Sequence, residues 1–285
     1  MKDPKKSLAA EKLSPRKEFI KVAINVNLHV TDIGDGKPLV LIHGWPLSDA
    51  MYEYQYQHFV ERGIRVIGIT LRGFGQSGKP YGLYDYETFS QDIKVVLEKL
   101  EVENAILGGF SMGGAIAIYF TERYESAHIS KLVLFGAAAP SWTQRPDFPF
   151  GISQQDAQQL IDLIHTDRSK LYNNFGKIFT ASETSLSPGL AAWLDSLNWQ
   201  ASPYAATKCL IALKDTDLRP ILSKIELPTA IFHGRLDKIC PFQLAEELNK
   251  GIKHSQLIAF EYSGHALFVE EMQKFNCELE KFVLS

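Results

Sequence analysis

Hydrophobic positions change rhythm several times along this chain, and each change marks a new element. Between residues 19 and 30, Ile20, Val22, Ile24, Val26, Leu28 and Val30 fall at every second position, the period of two that marks half-buried strands. Residues 39–42, 105–107 and 132–135 are unbroken apolar runs, as expected of strands covered on both faces. Residues 65–70, 229–232 and 257–260 complete the strand candidates. Helical patterns alternate with them over residues 51–61, 115–120 and 242–248. Asp85 can cap a further helix whose Phe89, Ile93, Val96, Leu97 and Leu100 share one face. Near the C-terminus Phe268, Met272, Phe275, Leu279 and Phe282 keep the spacing of one terminal helix. Strand and helix in alternation predict a mostly parallel sheet wrapped by helices.

The alternation stops from residue 141 to 218. Ser187-Pro188 and Ser202-Pro203 are helix starts there, among the scattered aromatics Trp142, Phe148, Phe150, Phe175, Phe179, Trp193 and Trp199. This stretch reads as an inserted helical cap on a core of residues 19–140 and 219–285, with Trp142, Phe148, Phe150 and Trp193 expected to line the substrate space. Residues 1–18, rich in Lys and Glu, read as a solvated arm that is neither signal nor anchor. No apolar run reaches spanning length, so a cytoplasmic location is expected.

Composition narrows the function without naming it. A net charge of −3 offers no general attraction for polyanions, which removes nucleic acid from the expected partners. Cys209, Cys240 and Cys277 are odd in number and lack Cys-x-x-Cys spacing, so neither a disulfide framework nor a zinc site is expected and buried free thiols are. No metal is called for.

Candidate chemistry centres on Gly109-Phe110-Ser111-Met112-Gly113-Gly114, placed where a buried strand hands over to a helix. A serine in that sharp turn takes strained backbone angles, and glycines two residues to either side remove the Cβ atoms that would collide. Ser111 is the candidate nucleophile. It needs a base and an acid to orient the base. His265 follows the last strand candidate and Asp237 the one before it, at strand ends where open α/β sheets place their chemistry. Either residue alone would be read as a cap or turn residue; the order Ser111, Asp237, His265 gives them meaning together. Asp215 and Asp217 are weaker candidates for the acid. The amides of Met112 and Trp45 are the candidate oxyanion donors, and His43 is expected to orient the Trp45 loop rather than act as a base.

Four motifs carry a resemblance: His43-Gly44-Trp45-Pro46-Leu47-Ser48, Arg72-Gly73-Phe74-Gly75-Gln76-Ser77, Tyr84-Asp85-Tyr86 and residues 109–114. From residue 19 onward the chain resembles the α/β-hydrolase superfamily, and within it the cofactor-free bacterial haloperoxidase, perhydrolase and aryl esterase group. The resemblance implies an α/β-hydrolase fold and a serine esterase for small to medium esters, with no cofactor. It also implies acyl transfer to hydrogen peroxide, giving a peracid that oxidises halide; Pro46 after Trp45 points the same way. The implied partner is a small-molecule ester, with no membrane, and homo-oligomer formation stays open. Two departures stand out: Thr70 occupies a place two residues before Arg72 where an acid is usual, so the network around Arg72 is expected to be altered, and the cap matches less well. A lactone, an amide or a carbon–carbon bond as the target of the same triad remains an alternative, as does a non-catalytic binder. The sequence does not show whether Asp147 or Glu183 faces the pocket, as binding a free amine would require.

Overall fold

The structure, a computed structural model, describes residues 19–124 and 128–285; the arm expected over residues 1–18 lies outside them. Eight strands form one sheet in the order β1-β2-β4-β3-β5-β6-β7-β8. They are β1 Phe19–Ala23, β2 Val26–Ile33, β3 Lys37–Ile42, β4 Ile64–Ile69, β5 Ala105–Phe110, β6 Ile129–Phe135, β7 Thr229–Gly234 and β8 Ser255–Phe260. Pairing is antiparallel from β1 to β2 and from β2 to β4, and parallel across the remaining six strands. Strands β5 and β7 are buried along their whole length, β5 in the interior of the sheet and β7 one strand from its edge.

The helices are α1 Glu53–Val60, α2 Tyr86–Lys99, α3 Met112–Arg123, α4 Gln154–Thr166, α5 Arg168–Phe179, α6 Pro188–Asn198, α7 Pro203–Asp215, α8 Phe242–Gly251, α9 Leu267–Glu270 and α10 Met272–Leu284. The Asp85 carboxylate caps α2 by accepting from the Thr88 amide at 2.8 Å. Ser187 and Ser202 cap α6 and α7, each with proline in the first turn.

Helices α4 to α7 all lie between β6 and β7, within the stretch expected to form a cap. Hydrogen bonds from the loops after β3, β4, β7 and β8 seat this insertion on the C-terminal edge of the parallel strands. The Trp45 indole, after β3, donates to the Ala206 carbonyl, and the Ser202 amide donates to the carbonyl of Gly73, after β4. The Trp142 indole donates to the carbonyl of Ile239, after β7, and the Ala266 amide, after β8, donates to the Phe179 carbonyl. Among the described residues no helix is long and apolar enough to cross a membrane.

Three details depart from the sequence pattern. The period-two run folds back on itself between Ala23 and Val26, because Asn25 takes a left-handed φ of 60° and leaves Ile24 exposed at the tip. The terminal helix breaks at Glu271, whose carboxylate reaches back to the Tyr262 amide and the Ser263 hydroxyl instead of facing solvent. Cys209 and Cys240 are buried as expected, but Cys277 is exposed, on the outward face of α10.

Candidate active site

Strand β5 ends at Phe110, and Ser111 takes φ 53° and ψ −117° before α3 begins at Met112. A non-glycine residue pays roughly 1–3 kcal/mol for such angles, which the surroundings must enforce. The Ser111 amide donates to the Phe135 carbonyl, and its carbonyl accepts from the Gly114, Ala115 and Ala138 amides. A Cβ on Gly113 would lie 2.5 Å from the carbonyl oxygens of Ile42 and His43, and one on Gly109 would collide with Gly113. The turn is closed to any larger residue at either place.

Asp237 lies past β7 and is buried. Its Oδ1 accepts from the Ile239 and Cys240 amides, both at 2.8 Å, and its Oδ2 from His265 Nδ1 at 2.7 Å. A second imidazole, that of His233, places Nε2 2.7 Å from the Cys240 carbonyl and 3.4 Å from Asp237 Oδ2. Because the carbonyl can only accept, Nε2 of His233 carries the proton. Burial alone would raise the Asp237 carboxyl; the facing His265 charge and the donors from both imidazoles outweigh it and hold the group well below the usual carboxylate range.

His265 is buried with its ring 4.7 Å from that of Phe110 and 5.8 Å from that of Phe179. The turn after β6 connects it to Ser111: the Ser111 backbone is bonded to both sides of Gly136, and a Cβ on Gly136 would lie 3.3 Å from His265 Nδ1 and 3.6 Å from Asp237 Oδ2. Among the described residues Nε2 of His265 has no hydrogen-bond partner. The Ser111 hydroxyl is therefore not bonded to it, and lies instead beside the Cys240 thiol, which burial pushes up out of its ordinary range.

Around Ser111 the two expected amide donors are uncommitted. Neither the Met112 nor the Trp45 amide donates to another group among the described residues. Met112 opens α3, so its N–H also stands at the positive end of a helix. His43 secures the Trp45 loop: the Leu71 amide donates to its Nε2 at 3.0 Å, which leaves Nδ1–H to donate to the Gly44 carbonyl at 2.8 Å. Burial lowers its pKa to about 4, against the opposing pull of the Gly44 carbonyl and the Asp49 charge. It is a neutral strut.

A model of the alpha/beta hydrolase fold matches residues 37–272. The chain belongs to the α/β hydrolase family. It is 47% identical over 264 residues to the AB hydrolase superfamily protein YisY of Bacillus subtilis (strain 168), covering 93% of this chain and 98% of that one. Among solved structures it is similar to the esterase EaEST of Exiguobacterium antarcticum, at 41% identity and TM-score 0.91, and to a bromoperoxidase of Bacillus anthracis, at 33% identity and TM-score 0.91. Each covers 94% of this chain, which in turn spans 99% of the other.

In this hydrolase the residues around Arg72 and Thr70 are held by carboxylates from other elements. Arg72 makes a paired contact with Asp92 of α2, with both N···O distances 2.6 Å. Thr70 meets a carboxylate delivered from elsewhere, that of Asp49, which also accepts from Thr31 at 2.7 Å and Tyr56 at 2.9 Å and faces His29 Nδ1 at 3.3 Å. Burial would raise the Asp49 carboxyl, but its hydrogen bonds with His29, Thr70 and Thr31 bring it below its ordinary range. The sequence signal was available: an acid absent at 70 and present at 49.

A cavity of about 280 Å³ opens between α5 and α6, with Leu47, Tyr172, Phe175, Phe179, Leu186 and Leu194 among its walls. Rings that wall it also touch the candidate chemistry: Phe179 packs against His265, and Tyr172 and Phe175 pack edge-on against Trp45. None of the four aromatics expected to line the substrate space lines this cavity. Trp142 lies over the loop that carries Asp237. Phe148 and Phe150 pack on each other, with Arg219 over Phe148. Trp193 is turned away while its neighbours Ala192 and Leu194 line the cavity, because successive helical residues point about 100° apart. Asp147 and Asp217 both pair with Arg219, Asp215 with Lys214, and Glu183 stands at the cavity wall.

Proposed function

We propose that this hydrolase is a serine esterase acting on small to medium carboxylic esters, with Ser111 as nucleophile, His265 as base and then acid, and Asp237 as its orienting partner. The observation that carries the reading is the Asp237–His265 pair. With Nδ1–H committed to a buried carboxylate, Nε2 is the bare lone pair a serine hydroxyl needs.

In this reading the hydroxyl turns from Cys240 toward Nε2; a loose contact in the free enzyme is common where the bond tightens only with substrate. Oγ then attacks the ester carbonyl while Nε2 takes its proton, and the oxyanion accepts from the Met112 and Trp45 amides. Collapse releases the alkoxide, protonated by His265, and leaves acyl-Ser111. Water attacks the acyl carbonyl, giving its proton to His265, and the acid departs as Oγ is reprotonated. The walls of the cavity support apolar acyl or alcohol groups of modest size. Hydrogen peroxide in place of water would give a peracid; Pro46 and the likeness to a bromoperoxidase favour that second outcome.

Ser111→Ala should lower turnover of p-nitrophenyl acetate by about 10⁴-fold or more, and rapid mixing of the native enzyme should give an acyl adduct on Ser111 by intact-mass measurement. Native-like turnover in the variant would remove Ser111 from the mechanism. A peracid assay at fixed ester and rising peroxide separates the two acceptors.

A further inference from the structure

Two separate stretches of chain converge on the carboxylate of Glu270, at the end of α9. Its Oε2 accepts from the Gly264 amide at 2.8 Å, immediately before His265. Its Oε1 accepts from the Ala181 amide at 2.7 Å, two residues beyond Phe179. A third bond, Ala266 amide to Phe179 carbonyl at 3.0 Å, closes the junction. The two backbones are so close that a Cβ on Gly264 would lie 2.5 Å from the Ala181 nitrogen. Phe179 in turn walls the cavity and packs on His265.

We propose that Glu270 is a positioning residue that fixes His265 and the Phe179 wall as one unit, so that the rate of the chemical step and discrimination by acyl size are coupled through it. The proposal rests on the esterase reading above. A carboxylate suits the junction because both oxygens accept; an amide would turn an NH₂ toward one of the two N–H groups and leave donors unpaired. Burial raises the Glu270 carboxyl above its ordinary range even though the Ala181 and Gly264 amides oppose it.

Glu271 provides the control. It holds the same loop, through the Tyr262 amide at 3.0 Å and the Ser263 hydroxyl at 2.7 Å, and these bonds do not reach the helical insertion. Steady-state kinetics on p-nitrophenyl acetate and p-nitrophenyl octanoate should show kcat about tenfold lower for both esters in Glu270→Gln. The octanoate-to-acetate ratio of kcat/KM should shift at least about threefold in that variant and stay at the native value in Glu271→Gln. An unchanged ratio in Glu270→Gln, or an equal change in both variants, overturns the coupling. Amide hydrogen exchange at Gly264, Ala181 and Ala266 tests the junction without turnover: exchange should quicken at all three in Glu270→Gln, and native protection there overturns the proposal. Absence of native turnover on either ester, with the exchange result as expected, would instead overturn the esterase reading. If Glu270→Gln fails to fold, Glu270→Asp, one methylene too short to span both amides, is measured in the same way.

Discussion

The C-terminal edge of the sheet and the helical insertion above it are held by different forces. At the edge, backbone geometry and buried hydrogen bonds fix each group: strained angles at Ser111, two amides on Asp237 Oδ1, an imidazole on Oδ2. In the insertion, amphipathic helices pack through side chains, and the cavity wall is whatever their apolar faces leave open. Specific geometry demands specific residues, whereas packing accepts many. Substitutions at the edge should therefore be costly and alike for all substrates, and substitutions in the insertion mild and dependent on substrate size.

The sharpest test is Asp237→Asn. Its amide would face either the Ile239 and Cys240 amides or His265 with an NH₂ group, stranding donors or forcing the wrong imidazole tautomer. Turnover of p-nitrophenyl acetate should fall by about 10³–10⁴-fold, with the fold intact by circular dichroism; a loss under tenfold would show the edge to be less exacting than this comparison requires.

Next in size is the acid response of the neutral strut. The unfolded chain takes up a proton at His43 near the ordinary imidazole value of 6.5, while the folded protein refuses it until about 4. Stability should fall as pH drops from 6.5 to 4, by about 3 kcal/mol in total from this group. Asp49 and Asp237, whose carboxyls are held below their ordinary range, add stability that is present above their unfolded pKa and lost as pH falls through the folded one. Urea unfolding at pH 7 and 4.5 measures the first window, where His43→Gln should show a shallower slope; equal slopes would remove the strut from the account.

The smallest effects belong to the insertion. Phe179→Leu should alter the octanoate-to-acetate ratio of kcat/KM by about threefold to tenfold, in keeping with a change of wall volume. Trp193→Ala, one residue from the cavity wall but not part of it, should alter the ratio by less than about twofold. Reversal of these two results would restore the aromatic pattern as a guide to the pocket.

This division also explains what could be read from the chain. Period and continuity of apolar residues located the strands, and caps such as Asp85, Ser187 and Ser202 located helix starts, because those signals are local. The candidates Ser111, Asp237 and His265 could be singled out because each sits at a predictable strand end. The hairpin at Asn25 and the break at Glu271 were not, since the alternation and the helical spacing both run on past the point where the backbone turns. Glu270 was hidden for a related reason: an exposed helix end and a buried junction have the same sequence, and only the Ala181 amide tells them apart. Which aromatic residue lines the cavity depends on helix rotation, which seven scattered rings do not encode.

The carboxylate that contacts Thr70 comes from the turn after the Trp45 loop, so positions 49 and 70 share a single buried charge. An acid introduced at 70 while Asp49 remains would crowd two anions into one dry site, and an apolar residue at 49 while Thr70 remains would leave the Thr31 and Thr70 hydroxyls without that acceptor. Either step alone should therefore cost stability. Descendants of this chain are thus expected to exchange the two positions as a pair, or to keep both.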